Sequence, residues 1–229
     1  MALNKESNGF TFGFAIVLVV VLGVILASLA EGLKPRKLGN IRVKKQIDIL
    51  SAMMDVEKEG IDRANAEAEF TKYVDLNKAV ILNNLGEQVS TGEGAFEVDI
   101  KKEYRDKNLA ESDKKFPLFK AQDKSGLSRF IIPVVGKGLW GPIWGYICLE
   151  EDMRTILGVS FDHKTETPGL GAEINKPFFM DRWKSSMISD DNGDFKKYEV
   201  VKDNSGSSDP SKVDGITGGT ITSKGVEEM

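Results

Sequence analysis

Four hydroxyl side chains and three glycines fall within the ten residues Asp214-Gly215-Ile216-Thr217-Gly218-Gly219-Thr220-Ile221-Thr222-Ser223. Glycines let a backbone turn tightly and present its N–H groups, and hydroxyls offer oxygens to an anion, so this composition suits phosphate handling. A threonine hydroxyl is a weak nucleophile unaided, and nothing beside this stretch resembles a triad, so chemistry at one of these oxygens calls for a second enzyme. Residues 222–228 can begin a helix, whose free N–H groups and positive dipole end favour negative charge. Composition alone also admits a plain Ser/Thr/Gly surface loop.

Two further stretches stand out. Gly136-Lys137-Gly138-Leu139-Trp140-Gly141-Pro142-Ile143-Trp144-Gly145 holds two of the three tryptophans among glycines and a proline that argue against regular structure across it. It reads either as a tryptophan-plugged turn between core strands or as a wall for a planar aromatic ligand. His163-Lys164-Thr165-Glu166-Thr167-Pro168-Gly169-Leu170-Gly171 has a proline that fixes an extended approach and a Gly-Leu-Gly that lets backbone come close to a ligand. A lone His163 is more often structural than catalytic, and a single histidine builds no His-based metal cluster.

The decapeptide resembles the flavinylation motif of the FMN-binding domain family, an acidic residue and Gly followed by Ser/Thr-Gly-Ala-Thr-x-Thr/Ser. Asp214, Thr217, Gly218 and Thr220 fall on that pattern, and Gly219 stands where the family usually has Ala. The segment Glu166-Thr167-Pro168-Gly169-Leu170-Gly171 is similar to the family's Glu-Thr-Pro-Gly-Leu-Gly signature, and Leu139 and Trp140 fall in its Gly-x-Gly-Leu-Trp element. The resemblance implies FMN esterified through its phosphate to Thr220 by a dedicated flavin transferase. It places Thr217, Gly218, Gly219, Thr222, Asp214, Glu166, Thr167, Gly169, Leu170, Gly171, Leu139 and Trp140 at the cofactor, with Thr167 as donor and Leu170 over the ring. It further implies an electron-relay subunit of a multisubunit, sodium-translocating NADH:quinone oxidoreductase in a bacterial inner membrane, not catalytic alone. The equivalent flavin subunit of an Rnf-type complex, and a membrane-anchored non-redox FMN-binding or scaffold module, are the alternatives. The chain shows no Rossmann fingerprint, which agrees with NADH oxidation on another subunit.

The elements that must position these residues begin with an anchor. Residues Phe10–Ala30 carry no charge and span ~30 Å as a helix, about the thickness of a hydrocarbon core. Small residues at Ser28-Leu29-Ala30 fit a cleavage site, but the run exceeds a signal core and only Lys5 precedes it, which favours a retained single-pass helix in contact with membrane lipid. Lys34, Arg36, Lys37, Arg42, Lys44 and Lys45 follow the run, so charge bias would hold the large domain in the cytoplasm, whereas the resemblance implies the periplasmic side. We follow the resemblance.

A helical pattern with Ile47, Leu50 and Met54 on one face runs from Ile41 to about Asp75, continuing through Ala64–Tyr73. Strands are expected at Lys78–Leu82, Ala95–Tyr104, Phe116–Gln122, Arg129–Val135, Tyr146–Glu150, Thr155–Phe161 and Phe195–Lys202. Turns or loops fall at 83–86, 105–115 and Asn204–Lys212, and a short helix at Lys176–Lys184. The class is α+β: central antiparallel strands flanked by helices, after one N-terminal transmembrane helix. The divisions are a flank at 1–9, the span at 10–30, a juxtamembrane helical segment at 31–75, and the extracytoplasmic FMN-binding domain at 76–229. A net charge of -4 argues against a nucleic-acid partner, and the single Cys148, in an apolar run, forms no internal disulfide and reads as a buried thiol.

Overall fold

The computed structural model describes residues 7–202 and 205–229. Lys5 with the rest of the first six residues, and Asn204 of the polar loop, lie outside them. The chain divides into two compact units, 1–44 and 45–229. In the first, helix α1 (Asn8–Met53, whose end belongs to the second unit) carries an apolar window of mean hydropathy 2.9, long and apolar enough to cross a membrane. Its Phe12, Ile16, Val19 and Leu26 are all exposed, as on a helix whose solvent is lipid.

The second unit is built on an antiparallel sheet. After α2 (Ala66–Tyr73) come β1 (Val80–Leu82), β2 (Gln88–Thr91), α3 (Gly94–Glu97), α4 (Ile100–Arg105), β3 (Phe116–Gln122), β4 (Ser128–Lys137), β5 (Pro142–Leu149) and β6 (Ile156–His163). These strands lie in the order β2-β1-β3-β4-β5-β6, every pair antiparallel. The chain continues through α5 (Pro177–Met180), then β7 (Glu199–Val201) and β8 (Lys212–Asp214), which pair in parallel, and ends in α6 (Thr220–Glu227).

Alternation along the strands gives the sheet two apolar faces, each covered. On one face Ile143, Leu149, Val159 and Phe161 pack with Ile174, Phe179, Trp183, Val200, Val213, Ile216 and Val226. On the other, Gly158 and Ser160 of β6 meet the last turns of α1: Ser160 Oγ donates to Asp48 O at 2.7 Å, and a Cβ at Gly158 would lie 2.6 Å from Ala52 O. Ile49 and Leu50 of α1 are fully buried, and Phe70, Phe96 and Phe119 meet edge to face. Residues 45–75 are thus part of the compact unit.

Several expected elements differ. Ala95–Tyr104 is no strand; it forms α3 and α4, because Asp99 accepts the N–H groups of Lys101 and Lys102 and so caps a helix in mid-segment. The helical reading of 41–75 is interrupted between Met53 and Ala66, where Gly60 takes a φ of 65° and Asp62 and Asn65 bond to local backbone. Phe195–Lys202 is strand only over Glu199–Val201, and the helix at Lys176–Lys184 shortens to α5 and a 3-10 turn, Asp181–Trp183. Gly136–Gly145 is a hairpin, with β4 running to Lys137 and β5 opening at Pro142, so only 138–141 is irregular. Proline is tolerated as the first residue of a strand, and Gly136 and Gly145 sit in strands where another backbone presses close: a Cβ at Gly136 would lie 2.6 Å from Gly225 O.

Candidate functional site

The hairpin turn is closed by Gly138 N–H donating to Gly141 O at 2.8 Å. This leaves Leu139 and Trp140 at its tip, with Trp140 66% exposed. Trp144, on the strand, has the Lys101 ammonium 3.8 Å from its ring centroid. The two tryptophans therefore differ in environment: Trp144 is half-buried beneath Lys101, whereas Trp140 is exposed.

The 163–171 loop leaves the end of β6 directly opposite. Glu166 N–H donates to His163 Nδ1 at 3.2 Å, and Thr165 Oγ1 donates to Trp140 O at 3.2 Å. Glu166 turns inward, only 5% exposed. Its Oε1 accepts Trp140 N–H at 2.8 Å and its Oε2 accepts Thr222 Oγ1–H at 2.6 Å. Thr167 and Pro168 stay on the surface, Gly169 turns with a φ of 77°, and Leu170 lies exposed next to the decapeptide.

The decapeptide leaves β8 at Asp214, whose Oδ1 accepts Gly206 N–H at 2.8 Å while the backbone carbonyls of Asp214 and Gly215 accept from Arg182 Nη1. A turn follows, closed by Gly219 N–H to Ile216 O at 2.9 Å. Gly218 has a φ of 75°, and a Cβ there would lie 2.6 Å from Leu170 Cδ2; at Gly219 it would lie 2.9 Å from Leu170 O. Both positions are held small by the Gly-Leu-Gly loop. Helix α6 then starts at Thr220, two residues earlier than expected, with no side-chain cap from Gly219.

The structure thus brings together Trp140, Glu166, Leu170, Gly171, Gly218, Gly219 and Thr222 beside a half-buried Thr220. It does not bring the Asp214 carboxylate to them. Thr222, 1% exposed, is committed to Glu166, while Thr217 is exposed. Sequence reasoning missed Ser223 as a site residue. Fully buried, its Oγ accepts Ile216 N–H at 3.1 Å and donates to Gly219 O at 3.0 Å, clamping the turn before Thr220. A serine four residues after the helix-capping glycine is the available signal, since such hydroxyls bond back to the i−4 carbonyl.

The site's surface suits an aromatic phosphate. Leu139, Trp140, Leu170 and Ile221 are exposed apolar side chains on the three segments that meet at Thr220. The uncapped first turn of α6 leaves helix N–H groups for an anion.

A sequence profile described as FMN-binding domain matches residues 138–229, from the Trp140 turn through α6. The C subunit of the Na(+)-translocating NADH-quinone reductase of Pseudomonas aeruginosa is 30% identical, covering 99% of this chain and 91% of its own. Its counterpart from Vibrio anguillarum is 31% identical, covering 99% and 90%. The chain belongs to this C-subunit family. Among solved structures, the C subunit from Parabacteroides distasonis superposes with a TM-score of 0.72 at 37% identity, covering 86% of this chain and 90% of that one. The Shewanella oneidensis NqrC structure gives 0.64 at 27%, covering 81% and 88%. The fold of the solved relatives is thus shared by this chain, and the matched FMN-binding span takes in residues 138–145 of the first glycine-bearing segment and all of the other two.

Proposed function

We propose that this chain is the electron-relay subunit of a membrane-bound, sodium-translocating NADH:quinone reductase, carrying FMN as a phosphoester on Thr220. The observation that supports this most is the placing of Thr220. It is the first residue of an uncapped helix, half-buried, with exposed Trp140, Leu170 and Ile221 on the segments around it. The flavin, when bound, supplies the electron-carrying chemistry. The protein's part is to hold it. Backbone N–H groups at the start of α6 balance the phosphodiester charge, and Gly218 and Gly219 keep the approach clear. Leu139, Trp140 and Leu170 offer apolar surface to the ring system, and Thr167 and Gly169 shape the exposed edge. Glu166, Gly171 and Thr222 act from beneath. Thr217 stands beside the attachment residue, and Asp214 fixes the start of the segment through Gly206.

Attachment requires a flavin transferase, since a threonine hydroxyl is a weak nucleophile and no side chain among the described residues hydrogen-bonds to that of Thr220. Helix α1 anchors the protein among the other subunits and lipid as a single span, with the large domain on the periplasmic side. Covalent linkage keeps the cofactor from being lost there. Along the chain, a flank at 1–9 and a span at 10–30 lead into the juxtamembrane segment expected at 31–75, whose residues 45–75 belong to the same compact unit as the flavin domain.

Peptide mass spectrometry on protein from its native membrane tests this reading. One FMN less water on the peptide holding Thr220 is expected, and Thr220→Ala should be folded, inserted and flavin-free. Normal covalent flavin in that variant, or an unmodified native peptide, overturns the assignment, the latter in favour of a scaffold or non-covalent binder.

A further inference from the structure

Glu166 is a carboxylate buried to 5% exposure that forms no ion pair among the described residues. Acidic side chains are seldom so buried without a cation. Both its oxygens are used: the Trp140 turn hangs on one and α6 on the other. Two glycines make room for it, since a Cβ at Gly138 would lie 2.6 Å from Oε1 and one at Gly171 would lie 2.5 Å from Oε2.

The charge is not needed for this geometry. A neutral glutamine could hold the same groups, its amide oxygen accepting Trp140 N–H and its NH2 donating to Thr222 Oγ1, which would then turn its own proton away. A buried charge that packing does not require, beside a candidate cofactor site, points to function. We propose that Glu166 has two separable roles: it positions α6 against the Trp140 turn, and its negative charge makes the flavin carried at Thr220 harder to reduce. This rests on the attachment reading above.

Glu166 bonds both to Trp140, whose turn offers the ring its apolar face, and to Thr222, two residues from the attachment point, so we take the carboxylate to lie on the order of 10 Å from a ring held there. Two-electron reduction with uptake of one proton leaves the flavin one unit more negative, and at the effective dielectric of about 20 that suits partly buried sites one unit charge at that range disfavours that product about tenfold. For a two-electron couple that is about 30 mV.

The test uses full-length protein made with its flavin transferase, comparing wild type, Glu166→Gln and Glu166→Asp by peptide mass spectrometry and by redox titration of the bound flavin. Glu166→Gln, which can keep both hydrogen bonds, should retain flavin on Thr220, and its loaded fraction should have a midpoint potential about 30 mV higher. Glu166→Asp, which keeps the charge but shortens the reach, should load less, with its loaded fraction at the wild-type potential. An unchanged potential in loaded Glu166→Gln, or a raised one in Glu166→Asp, overturns the role of the charge. Loss of loading in Glu166→Gln overturns the separability of the two roles. Absence of flavin from Thr220 in the wild type is a different result, and it removes the attachment reading itself.

Discussion

Gly225→Ala isolates the contact that seats α6 on the sheet. On helix propensity alone the change is favourable by about 1 kcal/mol, because residue 225 lies inside α6. The structure reverses that sign. A Cβ at Gly225 would lie 3.0 Å from Lys137 C and 3.1 Å from Ile143 Cδ1, and closer still to Lys137 O. Carbon atoms are comfortable at ~3.5–4.0 Å, so α6 would have to retreat by roughly half an ångström or more. Lys137 cannot yield cheaply, since it is paired with Pro142 in the β4–β5 ladder and is followed by the closed 138–141 turn. Overpacking of this kind costs ~1–3 kcal/mol, and a rigid backbone partner puts it at the upper end. Net destabilisation of about 2 kcal/mol remains, which for a domain of this size lowers Tm by roughly 4–8 °C. Because the same displacement moves Thr220 relative to the Trp140 turn, flavin loading should fall with it. Thermal unfolding of full-length protein in detergent, followed by tryptophan fluorescence, reads the first effect and peptide mass spectrometry the second. Gly39→Ala in α1, where a Cβ meets nothing within 4 Å, is the control and should not lower Tm. A rise in Tm for Gly225→Ala would refute the argument, since propensity would then have won.

The thiol of Cys148, fully buried on β5, is pushed up to about 12 by its burial, so at pH 8 only ~1 in 10,000 molecules carries the thiolate. The folded protein should resist a thiol-reactive dye that labels it fully after denaturation, and rapid labelling of the native state would contradict the burial. Asp123 at the β3–β4 turn is held below the usual carboxylate range: partial desolvation works against this, but the N–H groups of Leu127 and Ser125 and the Arg129 guanidinium outweigh it. A carboxyl whose folded pKa is depressed stabilises above its unfolded pKa of ~3.9 and loses that contribution as pH falls through the folded value. Asp123→Asn should therefore lower Tm at pH 7, with the gap to wild type closing as pH falls below the ordinary carboxylate range. A gap independent of pH would show that the ionised pair is not its source.

The strands that pack on both faces were legible because their alternation is dictated by burial. Phe116–Gln122 is β3 residue for residue, β4 extends the expected strand at both ends, and β6 starts one residue later than expected and runs two further. Ala95–Tyr104 misled because Ala95, Phe96 and Val98 are buried while their neighbours are polar, a spacing shared by a strand and by two short helices. Only the cap at Asp99 decides between them. The hairpin at 136–145 was obscured for the opposite reason. Its glycines were read as breakers, whereas Gly136 and Gly145 are in strands because α6 and β6 press against them. A glycine that makes room for a neighbour and one that bends the chain look alike until the neighbour is placed.

The same distinction explains which part of the candidate site the sequence could reach. The three segments were visible as clusters of Gly, Thr and Trp, but their meeting point was not, because neither the burial of Glu166 nor the partners of its two oxygens can be read from the sequence. With Trp140 N–H on one oxygen and Thr222 Oγ1–H on the other, Glu166 couples the turn that presents an aromatic face to the helix that presents a hydroxyl. Gly136, Gly138, Gly171 and Gly225 let backbone and carboxylate close the gap. A site assembled from backbone and one shared acid tolerates little adjustment, since a methyl group at any of those glycines meets a carbonyl, a carboxylate or a hydroxyl rather than a flexible chain end.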